Sequence, residues 1–274
     1  MTTVTRQFAY TVFQGRAGDH NDLAMPGARA IGEALAQRTG IAPFVVGRPE
    51  PALNTGWREE LDVALPALKQ LQARFDDVLA SGAVSIAATS RCAVSLATLP
   101  AVARHRPDAC IVWFDAHGDL NTPEASTSGF LGGLAISGPA GLWDSGLGAG
   151  LSLDQLVLVG QRDLDPFEQD LIDRRGIPLV EARGDLAAEL RKAIAGRPVY
   201  VHLDCDVLNP GVVPTDYACE GGLSLADLRA CCEVIAEQAF VGIEIAEFQY
   251  AWESGGEAFS PDPLLDALAP ILAQ

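Results

Sequence analysis

The chain has 274 residues, 49% of them apolar, and its 19 basic side chains stand against 36 acidic ones for a formal charge of −17. That much apolar sequence excludes a disordered chain, and the length suits one large α/β domain or two small ones. So acidic a surface repels nucleic acid and anionic membranes, and no stretch approaches the ~20 apolar residues of a membrane span.

In chain order, apolar β-branched runs predict strands at residues 8–13, 44–47, 84–88, 109–114, 156–160, 179–181, 199–203 and 240–245. Helical patterns fall between many of them, at 28–38, 59–80, 94–105, 166–175, 185–195, 224–238 and 263–272. Several strands are continuously apolar, as expected of a parallel sheet covered by helices on both faces. The alternation predicts a three-layer α-β-α fold with right-handed crossovers, a mostly parallel sheet of about eight strands and a single domain over residues 1–274. Gly/Ser-rich loops at 126–150 and 209–222 follow predicted strands. Ligands of open α/β sheets bind outside the carboxyl ends of the strands, so these loops are where a site is expected.

The opening MTTVTRQFAY has no apolar segment behind a basic start, so no secretory leader is expected. Cys92, Cys110, Cys205, Cys219, Cys231 and Cys232 match no zinc or disulfide spacing. Reduced thiols in the cytosol are the simplest reading, most of them small core residues.

Two segments carry the chemistry. In the first, the apolar run Ile111-Val-Trp-Phe leads into Asp115-Ala-His117-Gly-Asp119-Leu-Asn121. Extended backbone sends alternate side chains to one face, so Asp115 and His117 converge, and Asp119 joins them if the chain curls at Gly118. In the second, Val199-Tyr-Val-His-Leu runs into Asp204-Cys-Asp206, with both aspartates on one face and Cys205 opposite. His202 shares the Asp204 face but sits deeper, and reads as a satisfied core histidine. One Asp-x-Asp at a strand end is usually a cap or solvated turn. Two such clusters, each after a buried strand, need a counter-charge, because burying uncompensated carboxylates costs several kcal/mol each. Divalent cations supply it, and a carboxylate-rich set with a minority of imidazole favours Mn²⁺ or a similar ion over a thiolate-type zinc site. Carboxylates also bridge two ions ~3.5–4 Å apart in many hydrolases.

At these residues the chain resembles the arginase–agmatinase (ureohydrolase) family, which hydrolyses guanidino groups at a dinuclear manganese site. DAHGD at 115–119, LDCDVLNP at 203–210 followed by GGLS at 221–224, and IEIAEF at 243–248 carry the resemblance, which covers most of the chain. It implies two divalent ions, with Asp115 and Asp204 bridging, His117 and Asp206 completing one site and Asp119 binding the other. It further implies that Glu247 holds the guanidino group, that Asn121 and Ser128 hold an α-carboxylate, and that Asp165 holds an α-amino group. Asp119 is also placed to relay a proton. Read from the residues alone, the lesser alternative for Glu247 is a strand-end salt bridge, and Asn121, Ser128 and Asp165 are ordinary turn and cap residues.

The departures matter as much. The metal-binding histidine of the family motif falls on Cys92, and the aspartate before it on Arg91. The proton-shuttling histidine falls on Gly132, the asparagine before it on Phe130, and another aspartate on Asn209. Three readings of Cys92 stand open: a thiolate ligand, a neighbour beside a water ligand, or the mark of a degraded site. Loss of the shuttle suggests a guanidino group less basic than that of arginine. The expected substrate is Nω-hydroxy-L-arginine, cleaved to hydroxyurea and L-ornithine, as by some relatives in actinobacterial antibiotic pathways of the D-cycloserine type. An ordinary arginase, another guanidino-acid amidinohydrolase, and a non-catalytic binding subunit are the alternatives. A cytoplasmic homo-oligomer is expected, since relatives are often trimers or hexamers.

Overall fold

The structure is a computed structural model describing residues 7–272. Its elements run β1 (Phe8–Phe13), α1 (Ala24–Thr39), β2 (Phe44–Val46), α2 (Trp57–Ala80), β3 (Val84–Thr89), α3 (Ser95–His105), β4 (Cys110–Phe114), β5 (Leu156–Val159), α4 (Pro166–Arg175), β6 (Leu179–Val180), α5 (Leu186–Ile194), β7 (Val199–Asp204), α6 (Leu225–Ala236), β8 (Phe240–Ala246), α7 (Asp262–Ala267) and α8 (Ala269–Leu272). All the predicted strands form, within a residue or so of their expected ends. The expected helix over 263–272 is two short ones, with Leu268 capping the first. Pro270 has no N–H with which to continue the ladder. Helix α1 starts earlier than its periodicity indicated, taking in Pro26, which a first turn tolerates because its N–H groups have no intrahelical partners.

The strands make one eight-stranded sheet in the order β2-β1-β3-β8-β7-β4-β5-β6. Every pairing is parallel, so "mostly parallel" becomes wholly parallel. Strands β3, β4, β5, β7 and β8 are buried along their whole length. Their two faces feed separate apolar clusters, one packed by α1, α5 and α6 and the other by α2 and α3. Alternation along β4 illustrates this: Cys110, Val112 and Phe114 enter the first cluster, Ile111 and Trp113 the second.

In a parallel sheet all carboxyl ends lie along one edge. The four neighbours β3, β8, β7 and β4 therefore deliver their C-terminal residues side by side, over a span of roughly 14 Å at ordinary strand spacing. Those residues are Arg91 and Cys92, then Glu247, then Asp204 and Asp206, then Asp115, His117 and Asp119. No helix among the described residues is long and apolar enough to cross a membrane. The expectation of no leader falls largely on residues 1–6, outside the described residues.

Candidate metal centre and substrate cavity

Asp115 ends β4 fully buried. Its Oδ2 accepts from the Trp113 indole at 2.9 Å, and its Oδ1 accepts from the His117 N–H at 2.7 Å. The His117 ring turns its Nδ1 to Asp115 Oδ1 at 3.3 Å and to Asp206 Oδ2 at 3.0 Å. Asp206 stands on a short 3₁₀ turn, where its Oδ1 accepts from the Ala116 N–H at 3.0 Å. Its own N–H donates to Asp204 Oδ1 at 2.7 Å. The two motifs are thus stitched together by the carboxylates themselves.

Asp119 lines the same cavity, but the curl that brings it there differs from expectation. Asp119 itself is left-handed, at φ 51°, while Gly118 is needed for room: a Cβ there would lie 2.7 Å from the Glu168 carboxyl carbon. Glu247 is also left-handed, at φ 62°. Such conformations cost ~1–3 kcal/mol each for residues with side chains and cluster at functional sites.

Cys92 lies in the cluster. Its thiol donates to Asp204 Oδ2 at 3.1 Å, and its Sγ is 3.1 Å from His202 Nε2. His202 is fully buried and stacks on Trp113 with ring centroids 3.5 Å apart. Its Nδ1 meets Glu244 Oε1 at 2.9 Å, so it is a satisfied core histidine that also reaches the site. Glu247 accepts the Cys92 N–H at 2.8 Å and the Arg91 guanidinium at 2.8 Å.

Among the described residues, ligand atoms lie within 4.8 Å of one another in the sets Asp115–His117–Asp206, Cys92–Asp204–Glu247 and Cys92–Asp115–His202. Asp119 belongs to none of these sets, and a further set, His117–Asp163–Cys219, lies toward the surface. Burial, then the neighbouring carboxylates, pushes the carboxyls of Asp119 and Asp204 well above the usual range, and Asp206 moves the same way. Burial, then Asp204, raises the Cys92 thiol well above its ordinary value. Burial alone would lower the His117 pKa, but its bonds to Asp115 and Asp206 push it up instead. So many carboxylates buried side by side call for a counter-charge, which divalent cations supply. The donors fit two divalent ions.

The cluster forms one wall of a cavity of about 530 Å³. Asn121 and Asp165 both line it: Asn121 Nδ2 donates to Asp165 Oδ2 at 2.7 Å, and Asn121 Oδ1 is buried without a partner. Asp165 caps α4, and Glu168 three residues on takes the N–H groups of Asp165 and Leu120. Ser128 lines the cavity from its exposed rim. Phe130 covers the space at Gly132, where a Cβ would meet its ring at 3.1 Å. Phe130 also packs against His20, with ring centroids 4.0 Å apart, and His20 Nδ1 meets the Tyr217 hydroxyl at 2.9 Å.

Sequence reasoning missed Glu168, His20 and Tyr217. The Asp165-Pro-Phe-Glu168 capping pattern announced the first. Nothing local announced the other two, which meet across 197 positions.

An α-β-α fold with a carboxylate–imidazole cluster at the carboxyl edge of its sheet defines a metal-dependent hydrolase. The chain belongs to the arginase family, whose profile matches residues 14–258. The Nω-hydroxy-L-arginine amidinohydrolase of Streptomyces lavendulae is 38% identical over 259 residues, covering 94% of this chain and 95% of that one. The arginase of Bacillus caldovelox is 28% identical over 199 residues, 66% of each chain. The solved arginase of Bacillus subtilis has the same fold, with a TM-score of 0.83 over 98% of this chain and 99% of that one, at 19% identity.

Proposed function

We propose that the chain hydrolyses Nω-hydroxy-L-arginine to hydroxyurea and L-ornithine. The observation that carries the reading is the gathering of Asp115, His117, Asp119, Asp204, Asp206 and Cys92 at one edge of the sheet, beside a cavity that also holds Asn121, Ser128, Asp165 and Glu247. The similarity to the Streptomyces lavendulae protein over nearly all of both chains supports the choice of substrate.

Asp115, His117, Asp119, Asp204, Asp206 and Cys92 hold two divalent ions in this reading, with Mn²⁺ favoured by the carboxylate-rich set. Bound there, the ions lower the pKa of a water toward neutrality. Glu247 orients the guanidino carbon, since a carboxylate with two oxygens already engaged keeps further lone pairs for substrate N–H groups. Asn121, Ser128 and Asp165 fix the amino-acid end and so reduce the entropic cost of orientation. Asp119 takes a proton from the attacking water and returns it to the departing Nδ. The bond between the guanidino carbon and Nδ breaks, leaving ornithine as the amine and hydroxyurea as the carbonyl product. Phe130, not a histidine, fills the space at Gly132, which supports a guanidino group less basic than that of arginine.

The chain acts, in this reading, as a single cytoplasmic catalytic domain within a homo-oligomer. Purified protein supplied with Mn²⁺ tests it: hydroxyurea and ornithine are expected from Nω-hydroxy-arginine, with far less urea from arginine. Metal-loaded, folded protein that releases neither product removes the reading.

A further inference from the structure

Arg91 is among the largest fully buried side chains, at 1% exposure, and it carries a permanent charge. Its Nε meets Asp19 Oδ1 at 2.9 Å, and its Nη1 meets both Asp216 Oδ2 at 2.9 Å and Glu247 Oε2 at 2.8 Å. Its Nη2 reaches the Asn21 carbonyl at 3.4 Å. Burial would lower its pKa, but Glu247, Asp19 and Asp216 together raise it, so the guanidinium stays charged at every relevant pH. Of these residues only Glu247 lines the cavity. The cavity therefore senses Arg91 through Glu247.

We propose that Arg91 is a positioning residue that sets the charge preference of the guanidino pocket, weakening the hold of Glu247 on a cationic guanidinium relative to an uncharged group of the same shape. The inference rests on Glu247 being the guanidino-binding residue. A substrate guanidinium would have to share one carboxylate with the Arg91 guanidinium, and like charges at that separation repel. A hydroxyl on nitrogen withdraws electrons and lowers guanidine basicity, so an N-hydroxyguanidine reaches its neutral form far more readily than arginine does. Hydrogen-bond donors on the neutral form still suit the free lone pairs of Glu247. Asp19 and Asp216 moderate the field of Arg91. Asp19 is sealed in the core, where Ala17 N–H also binds it, while Asp216 is partly exposed.

The test is equilibrium binding to the Mn²⁺-loaded enzyme of L-arginine and of L-citrulline, its uncharged ureido isostere, by calorimetry. Arg91→Gln is expected to shift the preference at least tenfold toward arginine, chiefly by tightening arginine. Arg91→Lys keeps the charge and is expected to stay within about threefold of the parent ratio. Asp216→Asn removes a partly exposed counter-charge, perturbs the core little, and is expected to move the ratio the other way. An unchanged ratio in Asp216→Asn, or equal shifts in the Gln and Lys variants, overturns the proposal. Turnover of Nω-hydroxy-arginine is read separately by its products, so a failed reaction assignment and a failed charge rule give different results.

Discussion

The Sγ of Cys92 lies 3.1 Å from Nε2 of His202, and the other nitrogen of that ring is held by Glu244 at 2.9 Å. A buried chain of side chains thus runs from the core to the candidate metal centre. Glu244 also accepts from Ser95 and Thr98, both at 2.6 Å. Its removal leaves Thr98 without this acceptor, while Ser95 Oγ and His202 Nδ1 keep only each other, 3.1 Å apart. Glu244→Ala is expected to destabilise the protein by about 1–3 kcal/mol, the cost of an orphaned buried group. Denaturant unfolding measures it, and a loss under 1 kcal/mol contradicts the network as described.

Asp115→Ala and Asp204→Ala should each abolish dinuclear binding. Loss of outer-shell support already costs about 10–100-fold in affinity or activity at metal sites, and loss of a ligand costs more. Elemental analysis after Mn²⁺ loading, paired with turnover, reads the outcome. Full metal content and full activity in either variant would refute the assignment.

Metal-free protein should respond to pH in the opposite sense to an ordinary acid-labile fold. Burial first, and neighbouring carboxylates next, raise the folded-state pKa values of Asp119, Asp204 and Asp206. An acid raised on folding contributes its stability fully below the ordinary Asp value of about 4, and loses it as pH rises through the folded values. The Tm of chelator-treated protein should therefore fall as pH rises above about 4, with Mn²⁺ restoring it most at the upper end, where deprotonated ligands take the ion. A metal-free Tm that climbs with pH above about 4 argues against the cluster.

Five of the six cysteines are buried, and Cys219 is the partly exposed one, 3.9 Å from Asp163. Titration of the native protein with a thiol-specific dye should yield about one equivalent, assigned to Cys219 by its loss in Cys219→Ser. The rest should react only on unfolding. Rapid reaction of a second thiol would place Cys92 in a more open site than the one described.

Gly27 in α1 touches the chain just beyond Glu247. A Cβ there would lie 1.9 Å from the Phe248 carbonyl oxygen. Gly27→Ala must push helix and strand end apart, at a cost of about 1–3 kcal/mol. Lower Tm together with a raised KM is expected, because the displaced segment carries Glu247. An unchanged KM would show that Glu247 is held independently of this contact.

The sequence by itself determined the sheet and the edge on which the chemistry sits. Continuous apolar runs announced strands covered on both faces, and the two carboxylate clusters at their ends, begun by Asp115 and Asp204, called for a counter-charge. Asp165 and Asn121, predicted at one end of a substrate, do meet at 2.7 Å. What only the tertiary structure decided lies between strands distant in sequence. Strand order set β3 beside β8 and β8 beside β7, which brought Arg91 to Glu247 across 156 positions and Cys92 to His202 across 110. Local pattern encodes which face a side chain takes, because alternation is a property of one strand. It does not encode which strand lies next door, because that follows from how the whole core closes. For that reason Arg91 read as a lost aspartate in the sequence and became the counter-charge of Glu247 in the fold.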